Sequence, residues 1–410
     1  MRASRFIAAR LAQGGERWSR TSNTIAWISV GLSLAIMIVA IAVLAGFKQE
    51  IRSRVSGFMG SVLLVQPGES PFNELYPFPE TLSYRERVMA RPEVTSFSGV
   101  AWRSGLVKTA DNIDGLYFKG VDSLYDLQFY RECLVDGSLP DYHGRLSNDI
   151  LLSRPTARKL GFRVGDDVVA YFIGEEVKVR KFRLCGLFET GLDEVDAQMA
   201  LADRRHIQRL NGWAGDEVSS VEIRLKPGAS LERTGRELEE VILTAMDDTD
   251  PALFVTPVKK LYGHLFDWLA LLDFNVLMIL LLMVVVAGFN MISALLIILF
   301  EKIPAIGLLK ALGMTSREVG EVFLLRAGAL VAKGMLWGDV FGIAVCLVQQ
   351  YTKLVRLDPA NYFVSAVPIR LDIGQLLVLN LGAAALLLLL IALSTRFVAR
   401  ISPARTMRVE

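Results

Sequence analysis

Histidine and cysteine are scarce in this chain, with three of each among 410 residues. His143, His206 and His264 are scattered, and none stands near a serine or cysteine in a nucleophile pattern, so the sequence offers no catalytic triad. Cys133, Cys185 and Cys346 do not form a disulfide-type framework, and the first two read as unlinked thiols in preference to a bridge. A net charge of +2 leaves no basic patch for nucleic acid. The stretch "GLLKALGMTS" comes nearest to a phosphate loop, but its glycines are one residue too far apart and Met314 stands where the lysine belongs. The chain is therefore expected to bind no ATP by itself and to hold no cofactor. Asp193, Glu194 and Asp196 in "TGLDEVDAQ" lack the calcium-loop pattern and read as a solvated loop rather than a metal site.

Charge is missing from long stretches too. None interrupts Thr21 to Phe47, Phe274 to Phe300 or Ile373 to Thr395, and each run exceeds the roughly 20 residues that cross about 30 Å of hydrocarbon. A fourth run, Val322 to Gln350, contains Arg326, Lys333 and Asp339 but is otherwise too apolar for a loop. With 52% hydrophobic residues and a mean hydropathy of +0.39, the composition suits an α-helical membrane protein with four transmembrane helices. The expected division is an interfacial segment over 1–24, spans over 25–47, 270–300, 316–350 and 373–395, a large domain over 48–265, a short helix over 301–315, a loop over 351–372 and a tail over 396–410. The first run is too long for the apolar core of a signal peptide, about 7 to 15 residues, and is read as an uncleaved anchor.

Lys and Arg near the span ends place the N-terminal segment, the 301–315 stretch and the tail on the cytoplasmic side. Lys48, Arg52 and Arg54 oppose the rule, but they open a long translocated domain, where loop charge counts for little. That domain reads as α+β. Runs such as "SVLLVQ", "GLYFKGV", "DVVAYF", "KFRLCGLF" and "SSVEIRLK" suggest strands, and "ASLERTGRELEEVILTAM" suggests a helix with Leu231, Leu238, Val241 and Ile242 inward. In "DILLSRPTARKLGFRVGDDVVAYF" a strand leads to a short helix, Gly161 ends it, and "VGDD" turns into another strand.

Between the second and third runs, "EKIPAIGLLKALGMTSREV" carries charge where its neighbours carry none. On a helical wheel Ala305, Leu308, Leu309 and Leu312 share one face, and Gly307, Lys310 and Ala311 lie on the other. Pro304 suits a first turn, Gly313 a helix stop, and Thr315 with Glu318 a capping box for the next helix. A helix of this build serves either as an interfacial linker or as a coupling helix moved by a cytoplasmic partner. Gly334, Gly338 and Gly342 form a small-residue stripe for helix packing. Lys333 and Asp339 are six apart, so they do not share a face and each needs some other polar contact.

The same stretch resembles the signature of the FtsX-like ABC-transporter permeases, matching at Glu301, Ile306, Gly307, Leu309, Lys310, Ala311, Leu312 and Gly313. The first span with its Gly46-Phe47 pair, "LLSRPTARKLGFRVGDDV", "GLFETGLDEVD" and "ISPARTMR" are similar to the lipoprotein-releasing permeases of LolC and LolE type. The resemblance implies a MacB/LolC-like fold, with the α+β domain extracytoplasmic between the first and second helices, in the bacterial inner membrane. It implies a non-catalytic subunit, with ATP and Mg bound by a separate LolD-like ATPase partner, and a second permease chain beside it. It also implies that lipoproteins are extracted from the outer leaflet and handed to a LolA-like periplasmic carrier. Under it the coupling residues are those just named, and Ile36, Val39, Ala40, Val43, Leu44 and Phe47 of the first span line an acyl-chain cavity. One departure is plain: only "FIGEEVKVR" separates two strands where the LolC member has a long carrier-recruiting hook. Relatives of the MacB and FtsX kind, which drive efflux or activate cell-wall hydrolases, form the alternative.

Overall fold

The computed structural model describes residues 17–110, 112–192, 196–301, 313–358, 364 and 366–398. Two compact units emerge: 1–48 with 268–356 and 366–410, and 49–267 with 357–365.

The first unit is a helical bundle. Among the described residues, four helices are long and apolar enough to cross a membrane: Arg17–Met59, Gly263–Glu301, Ser316–Thr352 and Ile373–Val398. The first continues past the expected end at Phe47 to Met59, because nothing in "KQEIRSRVSGFM" breaks a helix before Gly60, which takes a positive φ of 79°. The third begins with a full capping box, in which the Thr315 side chain accepts from the Glu318 N–H while Glu318 accepts from the Thr315 N–H at 2.8 Å. The bundle core is built from Ala26, Val30, Leu34, Ile38, Met291, Ala327, Val331, Leu387 and Ile391.

The second unit is built on a ten-stranded mixed sheet. Its strands include β1 (Val62–Val65), then, after the two-residue β2 (Phe78–Pro79), β3 (Val94–Lys108), β4 (Ile113–Val121), β5 (Leu134–Gly137) and β6 (Asp149–Ser153). After these come β7 (Asp167–Phe172), β8 (Lys178–Phe188) and β9 (Met199–Asp203), then, beyond the short β10 (Glu217–Val218), β11 (Ser220–Leu225) and β12 (Phe254–Pro257). The order is β12-β1-β11-β3-β4-β9-β6-β8-β5, and β7 pairs with both β3 and β8. That double pairing closes a six-stranded ring, β3-β4-β9-β6-β8-β7, in which each strand is paired on both sides, and leaves β12 and β5 at the edges of the sheet.

The long strand β3 joins two cores. Its first half pairs antiparallel with β11 and its second half with β4. Inside the ring pack Leu116, Phe118, Leu152, Phe172, Phe182 and Leu184. Beside it, β1 and β11 bury Val62, Leu64, Val221 and Ile223 against the helix Leu231–Ala245 through Leu238 and Ile242, with Val241 partly buried beside them. The strand–helix–turn–strand unit takes the form its sequence predicts. Ser153 caps helix Arg154–Leu160, Gly161 ends it at φ 79°, and β7 follows the turn.

Two details of the second unit bear on the sequence. The cysteines are free. The Glu189 N–H donates to the Cys133 carbonyl, so Cys185 lies four positions away along β8, about 13 Å and beyond disulfide reach. Asp196, expected in a solvated loop, is instead 1% exposed. Its carboxylate accepts from the Thr190 N–H, the Thr190 hydroxyl and the Gly191 N–H at 2.9 to 3.1 Å, and organises the turn from within. Burial raises its pKa, opposed by those hydrogen bonds. Asp193 and Glu194 lie outside the described residues.

Candidate functional site

The glycine stripe of the third spanning helix faces the first. A Cβ on Gly334 would meet the Trp27 carbonyl oxygen at 2.7 Å, one on Gly338 the Gly31 carbonyl oxygen at 2.6 Å, and one on Gly342 the Ala35 Cα at 3.1 Å. Only glycine lets the two backbones approach so closely, and the van der Waals gain of that approach replaces the hydrophobic drive that lipid does not supply. Next to the stripe, the Lys333 ammonium stands over the Trp27 ring, 4.7 Å from its centroid, and Trp27 meets Trp337 at 6.3 Å between ring centres.

The second intramembrane charge is met elsewhere. Asn380 of the fourth helix donates to Asp339 at 2.9 Å. Asn290 of the second donates to the Ser29 hydroxyl of the first at 2.6 Å. Sequence reasoning expected partners for Lys333 and Asp339 but missed Trp27 and Asn380. An aromatic and an amide in apolar runs give no signal until the helices are packed.

The proposed cavity residues are on one side of the first helix but have different surroundings. Ile36 is exposed, in line with exposed Ile25, Ile28 and Leu32. Ala40, Val43 and Leu44 are half-buried, Val39 packs into the bundle core, and Phe47 meets Trp268 edge-on at 6.4 Å. At this end Gly46 abuts the Pro368 carbonyl, the Arg370 N–H donates to the Ala42 carbonyl at 3.0 Å, and Lys48 pairs with Asp273 at 2.6 Å. Of these six positions only Ile36 is open, at the end of the exposed stripe, while Val39 and Phe47 are taken up by packing.

Of the coupling residues, Glu301 ends the second helix and Gly313 takes a positive φ of 96° just before the capping box. Ile306, Gly307, Leu309, Lys310, Ala311 and Leu312 lie outside the described residues. In the globular unit, two segments singled out in the sequence meet, because the Ser153 hydroxyl and the Thr156 hydroxyl both donate to the Asp196 carbonyl, the latter at 2.9 Å. The β7–β8 connection is a plain hairpin whose turn holds only Ile173 to Val177. No cluster of metal-ligating side chains occurs among the described residues.

Two family models match this chain. The FtsX-like permease C-terminal model covers residues 277–403, and the MacB-like periplasmic core domain model covers residues 24–241, more than half of the chain. The chain belongs to the FtsX-like permeases with a MacB-like periplasmic core. Among curated relatives, this permease is similar to the lipoprotein-releasing system transmembrane protein LolC of Xylella fastidiosa (strain 9a5c), 22% identical over 93% of this chain and 92% of the relative. It is 24% identical to LolC of Neisseria meningitidis serogroup B over 95% of this chain and 94% of that one. It is also 21% identical to LolE of Haemophilus influenzae, over 98% of each chain. The permease is a multi-pass membrane protein, as its four apolar helices and its family require.

Proposed function

We propose that this permease is the non-catalytic transmembrane subunit of an ABC transporter that releases lipoproteins from the inner membrane. The observation that carries the reading is the alignment with LolC and LolE relatives over more than nine-tenths of the chain, through bundle and globular unit alike. In this reading ATP and Mg bind a separate LolD-like ATPase, and the 301–315 segment on the cytoplasmic side, with both termini, receives its movement through Leu309 and Lys310. A second permease chain, identical or paralogous, completes the membrane part, and a LolA-like carrier takes the product.

The energetics explain why hydrolysis is needed. Each acyl methylene withdrawn from the bilayer costs about 0.8 kcal/mol, so a multiply acylated protein leaves only along a sheltered apolar path driven by a coupled reaction. The exposed Ile36 of the first helix, with half-buried Ala40, Val43 and Leu44 beyond it, supplies one wall of such a path. The short β7–β8 turn gives this subunit no hook, so carrier recruitment falls to another surface or another chain.

The test is release of a fluorescent lipoprotein from proteoliposomes containing the permease and its co-purified ATPase, with carrier present. ATP-dependent release that disappears in Leu309→Asp and in Lys310→Glu, with the complex still assembled, is the expected result. ATP hydrolysis without release of lipoprotein would sink the reading and leave peptide or drug efflux, or hydrolase activation, to be assayed.

A further inference from the structure

The first spanning helix ends inside the globular unit, to which its residues from Gln49 onward belong. A helix terminus leaves its last carbonyls without intrahelical donors, and its dipole favours positive charge there. Here two cations from the sheet supply both needs. Arg224 of β11 donates through Nη2 to the Gly57 carbonyl at 2.9 Å, and Lys119 of β4 donates through Nζ to the Phe58 carbonyl. Within the two turns before these carbonyls, Arg54 donates to the Thr190 carbonyl, in the turn that Asp196 organises, and Arg52 to the Ala229 carbonyl. The ring of Phe129 covers Gly57 so closely that a Cβ there would lie 2.2 Å from it.

The cations are themselves held. Lys119 and Glu222 are each 1% exposed and paired at 2.7 Å, and the Tyr125 hydroxyl donates to Glu222 at 2.7 Å. Arg224 donates to the Tyr125 hydroxyl at 3.1 Å and to Asp126 at 2.9 Å. The rings of Phe58, Trp102 and Tyr125 surround the ammonium at 4.9 to 5.6 Å. A well-packed apolar cluster of the same volume would stabilise a core at least as well as a buried ion pair. What the apolar cluster lacks is direction: charge-assisted hydrogen bonds to two successive carbonyls fix the axial position and the rotation of a helix end, whereas apolar contacts allow it to slide.

We propose that Lys119 and Arg224, held by Glu222 and Tyr125, are positioning residues that clamp the end of the first spanning helix. Displacement of that helix during the nucleotide cycle is thereby carried into β4 and β11 instead of being lost at a joint. The proposal rests on the transporter reading above, but its test involves no lipoprotein.

The experiment is hydrogen–deuterium exchange of the complete permease–ATPase complex, with and without ATP plus vanadate. In the native complex, trapping should change exchange in the last turns of the helix and in β4 and β11 together. In Lys119→Met/Glu222→Leu, which replaces the pair by apolar groups of similar size, and in Arg224→Met, which leaves the pair intact, the nucleotide response of β4 and β11 should vanish. ATPase activity and the response of the spanning helices should remain. A response of β4 and β11 equal to the native one in both folded variants, or no response in the native complex, would overturn the clamp. Failure of lipoprotein release with the exchange pattern intact would fall on the proposed substrate alone.

Discussion

Gly338 of the third spanning helix and Gly31 of the first are in backbone contact, with the Gly31 carbonyl oxygen 2.6 Å from where a Gly338 Cβ would sit. A single methyl group at this position must push the helices apart, since the obstacle is backbone and has no rotamer to change. Gly338→Ala is expected to lower stability by about 1 to 3 kcal/mol. Gly382→Ala, where nothing lies within 4 Å, is the matched control and should be neutral or slightly stabilising. Thermal unfolding of the detergent-solubilised chain compares the two, and equal melting points would contradict the packing described.

The Asp339–Asn380 hydrogen bond joins the third and fourth helices. Replacing Asn380 with Leu removes the donor and leaves the carboxylate to the bundle interior or to lipid. A loss of about 0.6 to 1.7 kcal/mol is expected, the range for interhelical hydrogen bonds in membranes. In the background of Asp339→Leu the same change should have little further effect. A double-mutant cycle on unfolding in mixed micelles gives the coupling directly.

Burial pushes the Lys119 ammonium down to about 8, against the opposing pull of Glu222. Lys119→Met alone strands a carboxylate that is 1% exposed and should cost about 3 to 5 kcal/mol. Adding Glu222→Leu should recover most of that loss, because the uncompensated charge disappears with its partner. Chemical denaturation of the native protein and the two variants checks the sign, and a double variant less stable than the single would refute the argument.

His206 packs edge-on against Phe182, 5.3 Å between ring centres, and is 6% exposed. Burial lowers its pKa below the ordinary 6.5, with Arg180 and Arg209 acting in the same direction and Asp203 and the Ser147 backbone opposing. The unfolded chain therefore takes up this proton before the folded one does. Stability is lost as pH falls below about 6.5, through the window down to the depressed folded value. Melting temperature followed from neutral pH to about pH 5 should show that decline, and His206→Gln should flatten it.

Much of this was legible in sequence because it is local. The uncharged runs determine the spanning helices, since a single segment satisfies its own backbone in hydrocarbon only as a helix. Thr315 with Glu318 marks a helix start, and Ser153 with Gly161 brackets a short helix, because caps are settled within a few residues. The motif from Glu301 to Gly313 carries the family resemblance within thirteen consecutive residues.

What sequence did not reveal depends on distant partners. Strand β3 escaped notice because glycines and serines break its apolar alternation; its length is fixed by β11, β4 and β7, which lie far along the chain. In "GLYFKGV" the alternation sets Phe118 inward and Lys119 on the opposite face, yet the helix end covers that second face and turns an ordinary surface lysine into a buried one. Asp196 looked solvated for the same reason. The sequence by itself determined the spans, the caps and the family, because hydrophobic length and capping are short-range. Only the tertiary structure decided which charges are buried and what holds them, because a charge's surroundings are made by residues that folding alone brings near.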